Sequence, residues 1–236
     1  MQQNPPIVLD DIPFRVDRVA LFKRLGVEPG DGLGAELEAL VADAERVGRP
    51  RAMYRIAGVD RRGEAETVID GVAFASRVLA VNLRPAHQVF PHVLSCGPEL
   101  QAWSDGLSDP LSQFWAETIK ESSLGSATAG FLAHVEETFH VGASSSMNPG
   151  SLADWPLPQQ GPLFQLLGDV TGAIGVKLSE SFVMLPTKSV SGILFPTNAD
   201  FASCQLCPRE ACPNRRAPYD PGLFERRYAT HAADSR

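Results

Sequence analysis

Residues 148–199 read NPGSLADWPLPQQGPLFQLLGDVTGAIGVKLSESFVMLPTKSVSGILFPTNA. A polar segment rich in serine, glycine and proline, residues 144–158, leads into this stretch. At about 15 residues it is longer than a routine connection, which makes it a candidate functional loop. After the loop, the apolar spacing predicts a short helix over 159–167 and short strands over 176–178, 182–185 and 189–195.

Upstream of this stretch, the chain mixes helices with hairpins. The clearest helix covers 33–44, where the apolar residues fall on one face before Gly48 and Pro50. The other predicted elements are a hairpin of 52–59 and 66–70, a helix within 72–83, a strand over 88–96, a helix from Asp109 through Ile119, and a second helix from Gly125 to Phe139. No regular βαβ alternation appears, so the pattern favours an α+β fold over a parallel doubly wound sheet.

Composition excludes several classes of protein. The 236 residues are 44% hydrophobic and 21% charged, which is typical of a folded domain. A net charge of −7 argues against nucleic acid or an anionic membrane as the main partner, because both attract a basic surface. No run approaches the roughly 20 apolar residues of a membrane span, and the start lacks a secretory pattern. We therefore expect a cytoplasmic protein.

The C-terminal segment, residues 204–236, differs from the rest in charge. It carries six arginines and four acidic residues, net +2, on a body of net −9. Two interpretations are open, a solvated basic end or a docking segment for a partner.

Three of the four cysteines lie in this segment, in the array Cys204-x2-Cys207-x4-Cys212. Two intervening residues allow two sulfurs to face one ion or cluster, and Pro208 and Pro213 stiffen the turns. The spacing favours a metal or iron–sulfur site, with Cys96 as the candidate fourth ligand. Free thiols and a disulfide remain the alternatives.

Common catalytic and nucleotide-binding motifs are absent from the sequence. There is no H-E-x-x-H, G-x-S-x-G, Walker or G-x-G-x-x-G pattern in a suitable context. Hydrolase, NTPase and dinucleotide-binding functions therefore lack support.

The order of residues in 148–199 resembles the activation domain of vitamin B12-dependent methionine synthase. That family has a Pro-Gly loop, a short helix ending in Leu-Leu, an Ile-Gly-x-x-Leu-Thr-Glu-Ser stretch, an x-Met-x-Pro and a Ser-Val-Ser-Gly. The corresponding residues here are Pro149-Gly150, Leu166-Leu167, Ile174-Gly175-Val176-Lys177-Leu178-Ser179-Glu180-Ser181, Met184-Leu185-Pro186 and Ser189-Val190-Ser191-Gly192.

The resemblance implies one α+β domain over residues 1–236, with a twisted antiparallel sheet flanked by helices. It also implies a role in returning inert cob(II)alamin, held by a partner methionine synthase or corrinoid protein, to its methyl-carrying state. In this interpretation the chain is an accessory reactivation factor, whose metal or iron–sulfur centre at Cys204, Cys207, Cys212 and Cys96 passes an electron to the cobalamin. The alternatives are a non-catalytic docking module with structural zinc and an S-adenosylmethionine-dependent reactivation domain.

The surface that meets the corrinoid is expected in the polar loop and the strands after it. Its candidate residues are Asn148, Pro149, Gly150, Ser151, Glu180, Ser181, Ser189 and Ser191. Small polar residues there would offer backbone and hydroxyl donors to a large planar ligand with amide arms. The alternative is an ordinary loop next to strand ends.

The chain departs from the family at the loop that binds S-adenosylmethionine. The family has Arg-x-x-Pro-Gly-Tyr, whereas the arginine and tyrosine positions are Ser146 and Ser151 here. Without a guanidinium to pair with the methionine carboxylate, we expect S-adenosylmethionine to bind weakly or not at all.

Overall fold

The computed structural model describes residues 4–199, 201–212 and 214–229. The helices in this part of the chain are α1 (Arg18–Leu25), α2 (Gly32–Val47), α3 (Arg77–Asn82), α4 (Pro98–Asp105), α5 (Pro110–Phe139), α6 (Gln160–Leu167), α7 (Val170–Ile174) and α8 (Leu223–Arg227). The strands are β1 (Ile7–Leu9), β2 (Arg51–Tyr54), β3 (Ala57–Arg62), β4 (Glu66–Ile69), β5 (Val72–Ala75), β6 (Gln88–Ser95), β7 (Ser144–Met147), β8 (Lys177–Leu178), β9 (Met184–Leu185) and β10 (Ser189–Pro196). Two 3-10 turns cover Leu157–Gln159 and Ser203–Leu206.

Strand β6 is the centre of the main sheet. β10 pairs antiparallel along one edge of β6, with Ser189 opposite Ser95 and Gly192 opposite His92. β2 and then β3 pair along the other edge. β7 continues the sheet beyond β10, while β1, β4 and β5 extend the opposite side. Every pairing in this sheet is antiparallel, which confirms the predicted α+β class.

The central strand is buried on both faces because the sheet lies between two helical layers. Val89 and Val93 of β6 pack in a cluster with α6 and α7. The alternate residues Phe90 and Leu94 pack instead with Phe131 of α5. Successive side chains of a strand point to opposite faces, and here both faces are buried. The sequence of β6 is therefore an almost continuous apolar run.

Helix α5 differs from the sequence prediction, because one helix replaces the two predicted ones. Asp109 caps its start by accepting a hydrogen bond from the Ser112 amide at 2.7 Å, and His140 ends it in a left-handed conformation. Gly125 lies inside the helix, where glycine costs about 1 kcal/mol relative to alanine. The C-terminal half of the helix packs against the sheet and the N-terminal half packs in a separate cluster with α2, so tertiary contacts stabilise both halves.

Two further segments are strands where the sequence predicted otherwise. The first four residues of the predicted polar loop form β7, which pairs with β10. The first four residues of the predicted helix 72–83 form β5, and α3 starts only after Ser76. In both places the partner strand supplies backbone hydrogen bonds that local composition does not reveal.

The C-terminal segment packs against the body of the domain in its described part. Just before this segment, the carbonyl of Phe201 accepts a hydrogen bond from the Ser145 hydroxyl at 2.6 Å. Tyr228 is fully buried, and its hydroxyl donates to Asn82 at 3.0 Å. The described chain contains no helix with the length and apolar character needed to cross a membrane.

Candidate functional site

The loop that follows β7 is tightly folded on itself. Gly150 has φ +85°, and a side chain there would meet Leu157 at 2.9 Å. Both the left-handed backbone and the lack of space therefore require glycine. The Gly150 amide donates to the carbonyl of Trp155 at 2.7 Å, and the Ser151 amide donates to that of Asn148 at 3.1 Å. This leaves Ser151 exposed at the tip of the loop.

Asn148 joins the loop to β10. Its Nδ2 donates to the carbonyl of Ser191 at 2.7 Å. A side chain added at Gly192 would lie 2.6 Å from that same Nδ2 and 2.6 Å from the carbonyl oxygen of Met147. The Ser-Gly dipeptide in β10 therefore allows the loop to approach the strand closely.

Asp154 joins the other end of the loop to α3. Its carboxylate accepts hydrogen bonds from the Ser76 hydroxyl, from the Val78 amide at 2.9 Å and from the Arg77 amide at 3.2 Å. The adjacent Trp155 is fully buried. A loop held at both ends in this way presents its tip in a defined position.

Ser189 and Ser191 use their hydroxyls within the chain. Ser189 donates to the carbonyl of Pro186 at 2.8 Å, and Ser191 is buried and donates to Gln160 at 3.3 Å. Ser191 lies beside the loop through its contact with Asn148, whereas Ser189 contacts Pro186 and Ser95. Their predicted contact with a corrinoid stays a prediction.

Glu180 and Ser181 lie in the turn between β8 and β9, and both are exposed. The Ser181 hydroxyl lies 3.0 Å from that of Ser179. The following residue, Phe182, contacts α6, since a side chain added at Gly161 would lie 3.4 Å from its ring.

The start of α6 thus lies between the loop and the turn. Leu157 contacts Gly150 on one side, and Gly161 contacts Phe182 on the other. We define the α6-edge surface by the exposed residues Ser151, Leu157, Glu180, Ser181 and Val183. Leu157 and Gln160 belong to no sequence motif and were not predicted. Leu157 acts within the folded loop, and Gln160 acts through its contact with Ser191, 31 residues away.

The four cysteines do not gather at one point. Cys96 is fully buried among Leu37, Leu100 and Trp115, whereas Cys207 packs against the separate cluster that contains Tyr228. Within residues 4–199, 201–212 and 214–229, no three His, Cys, Asp or Glu side chains lie close enough to hold a metal ion. The thiols as placed do not fit the predicted metal or iron–sulfur centre.

The thiols also differ in chemistry. Burial raises the pKa of Cys96 to about 11, so this thiol stays protonated at neutral pH. Burial would also raise the pKa of Cys204, but hydrogen bonds from the Arg216 and Ala217 amides and the charge of Arg216 outweigh it, and the pKa is lowered. Of the two, Cys204 is therefore the thiol that ionises more readily.

Comparisons with known proteins agree with the fold. No family model and no curated protein matches the chain. A solved structure of the MetH reactivation domain bound to AdoHcy is similar, with a TM-score of 0.54 and 17% identity over 85% of this chain and 82% of that one. At this identity the likeness shows a shared fold.

Proposed function

We propose that this chain assists the reactivation of a cobalamin held by a partner, a methionine synthase or another corrinoid protein. The observation that supports this proposal most is the similarity of 85% of the chain to the MetH reactivation domain. The second support is the set of motifs in residues 148–199, which the fold brings to the two sides of α6.

The α6-edge surface is the part of the chain that we propose to contact the partner. It combines small polar residues with Leu157 and Val183, which are 36% and 45% exposed. Apolar side chains next to exposed hydroxyl and carboxylate groups suit a large planar ligand that carries amide arms. The ordered loop presents this surface without a large entropic cost on binding.

The route of the electron is a separate hypothesis. Reduction through a metal or iron–sulfur centre at Cys204, Cys207 and Cys212, with Cys96 as a fourth ligand, stays a prediction from the sequence. The placement of the described thiols gives it no support, so docking on the partner is the role that we propose here.

Substitutions on the α6-edge surface should weaken docking without affecting the fold. We expect Ser151→Trp and Glu180→Arg each to reduce affinity for a cobalamin-loaded methionine synthase module by at least about tenfold. Both residues are exposed, so the thermal midpoint should stay unchanged. Binding can be measured by isothermal titration.

Matched controls for this experiment lie elsewhere on the surface. Ser108→Trp and Glu64→Arg make the same chemical changes at exposed positions outside the α6-edge surface. They should leave the affinity unchanged. Equal loss of binding in the controls, or none in Ser151→Trp and Glu180→Arg, would contradict the proposed surface.

S-adenosylmethionine should bind weakly or not at all. A carboxylate–guanidinium contact is worth about 1.5–3 kcal/mol, and Ser146 cannot supply it. Lys188, a possible substitute, already pairs with Glu117 at 3.4 Å and Glu121 at 3.8 Å. Isothermal titration with S-adenosylmethionine checks this expectation, and a dissociation constant in the low micromolar range would show that another group replaces the arginine.

A further inference from the structure

Cys204 and Cys207 lie at the two ends of one backbone turn. The 3-10 turn Ser203–Leu206 contains Cys204, and the amide of Cys207 donates to the carbonyl of Cys204 at 3.2 Å. A turn closed by such a hydrogen bond holds its end Cα atoms within about 7 Å. Disulfides span Cα separations up to about 6.8 Å, so the turn is compatible with a bond between these two sulfurs.

The side chain of Arg215 holds both ends of this turn. Its guanidinium donates to the carbonyl of Cys204 at 3.1 Å and to that of Cys207 at 3.3 Å. It also donates to the carbonyl of Arg209. One rigid, charged group therefore fixes the spacing of the two cysteines and adds positive charge beside them.

The two thiols differ in their surroundings. Cys204 is partly exposed, and its Sγ accepts a hydrogen bond from the Arg216 amide at 3.4 Å, which stabilises a thiolate. Cys207 packs against the apolar core cluster. Cys212 lies outside the turn, five residues after Cys207 in the sequence.

We propose that Cys204 and Cys207 form a redox-active dithiol that exchanges with small-molecule disulfides, with Cys204 as the attacking thiol and Cys207 as the resolving thiol. This inference does not depend on the proposed docking function. It also differs from the predicted metal centre, in which three thiolates would share one ion and none would be free to react.

The exchange proceeds in two balanced steps. The Cys204 thiolate attacks one sulfur of the small disulfide, a new S–S bond forms, and the other half leaves as a thiolate that takes up the proton lost by Cys204. Cys207 then loses its proton, and its sulfur attacks Cys204 Sγ. The mixed disulfide breaks, the second small thiol leaves, and two electrons have passed from the protein to the small disulfide.

The test uses the full chain in buffers of reduced and oxidised glutathione. Free thiols are alkylated, the peptides are mapped by mass spectrometry, and the metal content of the same sample is measured. We expect a Cys204–Cys207 bridge that forms in a two-electron transition. The ratio of oxidised to reduced protein should then change tenfold for each change of about 30 mV in the redox potential of the glutathione buffer.

Single variants separate the roles of the thiols. Cys207→Ser should accumulate glutathione on Cys204, because the resolving thiol is missing. Cys204→Ser should react with oxidised glutathione at least about tenfold more slowly. Cys212→Ser and Cys96→Ser are matched controls and should keep the wild-type bridge. If Cys207→Ser fails to fold, rapid quenching of the wild type should still detect the mixed disulfide on Cys204.

Three outcomes would overturn the proposal. The first is a bridge that contains Cys212, and the second is the absence of any bridge in excess oxidised glutathione. The third is one equivalent of bound metal that protects all three thiols and is lost when any one of them becomes serine.

Discussion

Replacing Tyr228 by alanine should release the C-terminal segment from the domain. Tyr228 is fully buried, and its ring lies 6.3 Å from that of Phe201 between centroids. Its carbonyl accepts a hydrogen bond from Arg77, and its hydroxyl donates to Asn82. Removing a buried aromatic ring costs about 3–5 kcal/mol, which raises the released population at least about a hundredfold.

Limited trypsin digestion measures this release, because Arg209, Arg215 and Arg216 are cleavage sites inside the segment. Cleavage follows the population of the open state when opening and closing are fast. Tyr228→Phe loses only the hydrogen bond and should show a much smaller increase. Tyr219→Ala is the matched control, since Tyr219 is 45% exposed. A Tyr228→Ala protein cleaved at the wild-type rate would mean that other contacts hold the segment.

The elements that the sequence predicted well are those with a strong local pattern. The apolar run 88–96 predicts β6 within one residue, because a strand buried on both faces has few polar positions. The helix predicted over 33–44 corresponds to α2, because its apolar residues fall on one face and that face is buried. Strand β7 was missed because Ser144–Met147 has little β propensity and depends on pairing with β10.

The candidate site was only partly predictable. The order of residues pointed to the loop at Asn148–Ser151 and to the turn at Glu180, and the fold places both beside α6. The contacts that hold them come from other elements, because Asp154 of the loop is held by Ser76 and Val78 at the start of α3, and Ser191 is held by Gln160 of α6. No periodicity signals such long-range polar contacts.

The cysteines show the same limit. The count of four cysteines groups Cys96 with the C-terminal three, because a closed metal site needs a fourth ligand and the sequence has no other cysteine. The burial of Cys96 in the cluster of α2, α4 and α5 separates it from them. A count of thiols carries no information about which core cluster each one enters.

The domain should lose stability in acid because of one buried histidine. His92 is fully buried in β6, where its ring lies 4.7 Å from that of Phe131 between centroids. Its Nδ1 lies 3.0 Å from the carbonyl of Phe90, which can only accept, so the neutral ring carries its proton there. Burial lowers the pKa of His92 from 6.5 to about 4.

Between pH 6.5 and 4 the unfolded chain therefore binds a proton on this ring that the folded chain does not. Under this condition the free energy of unfolding decreases as the pH falls, and the loss is complete near pH 4. A shift of this size corresponds to about 3 kcal/mol.

In urea titrations across this range, the free energy of unfolding of the wild type should decrease by about 3 kcal/mol more than that of His92→Gln, which has no titrating ring. His87→Gln, at an exposed position, should keep the wild-type pH profile. Parallel profiles for the wild type and His92→Gln would show that His92 is protonated without cost in the folded domain.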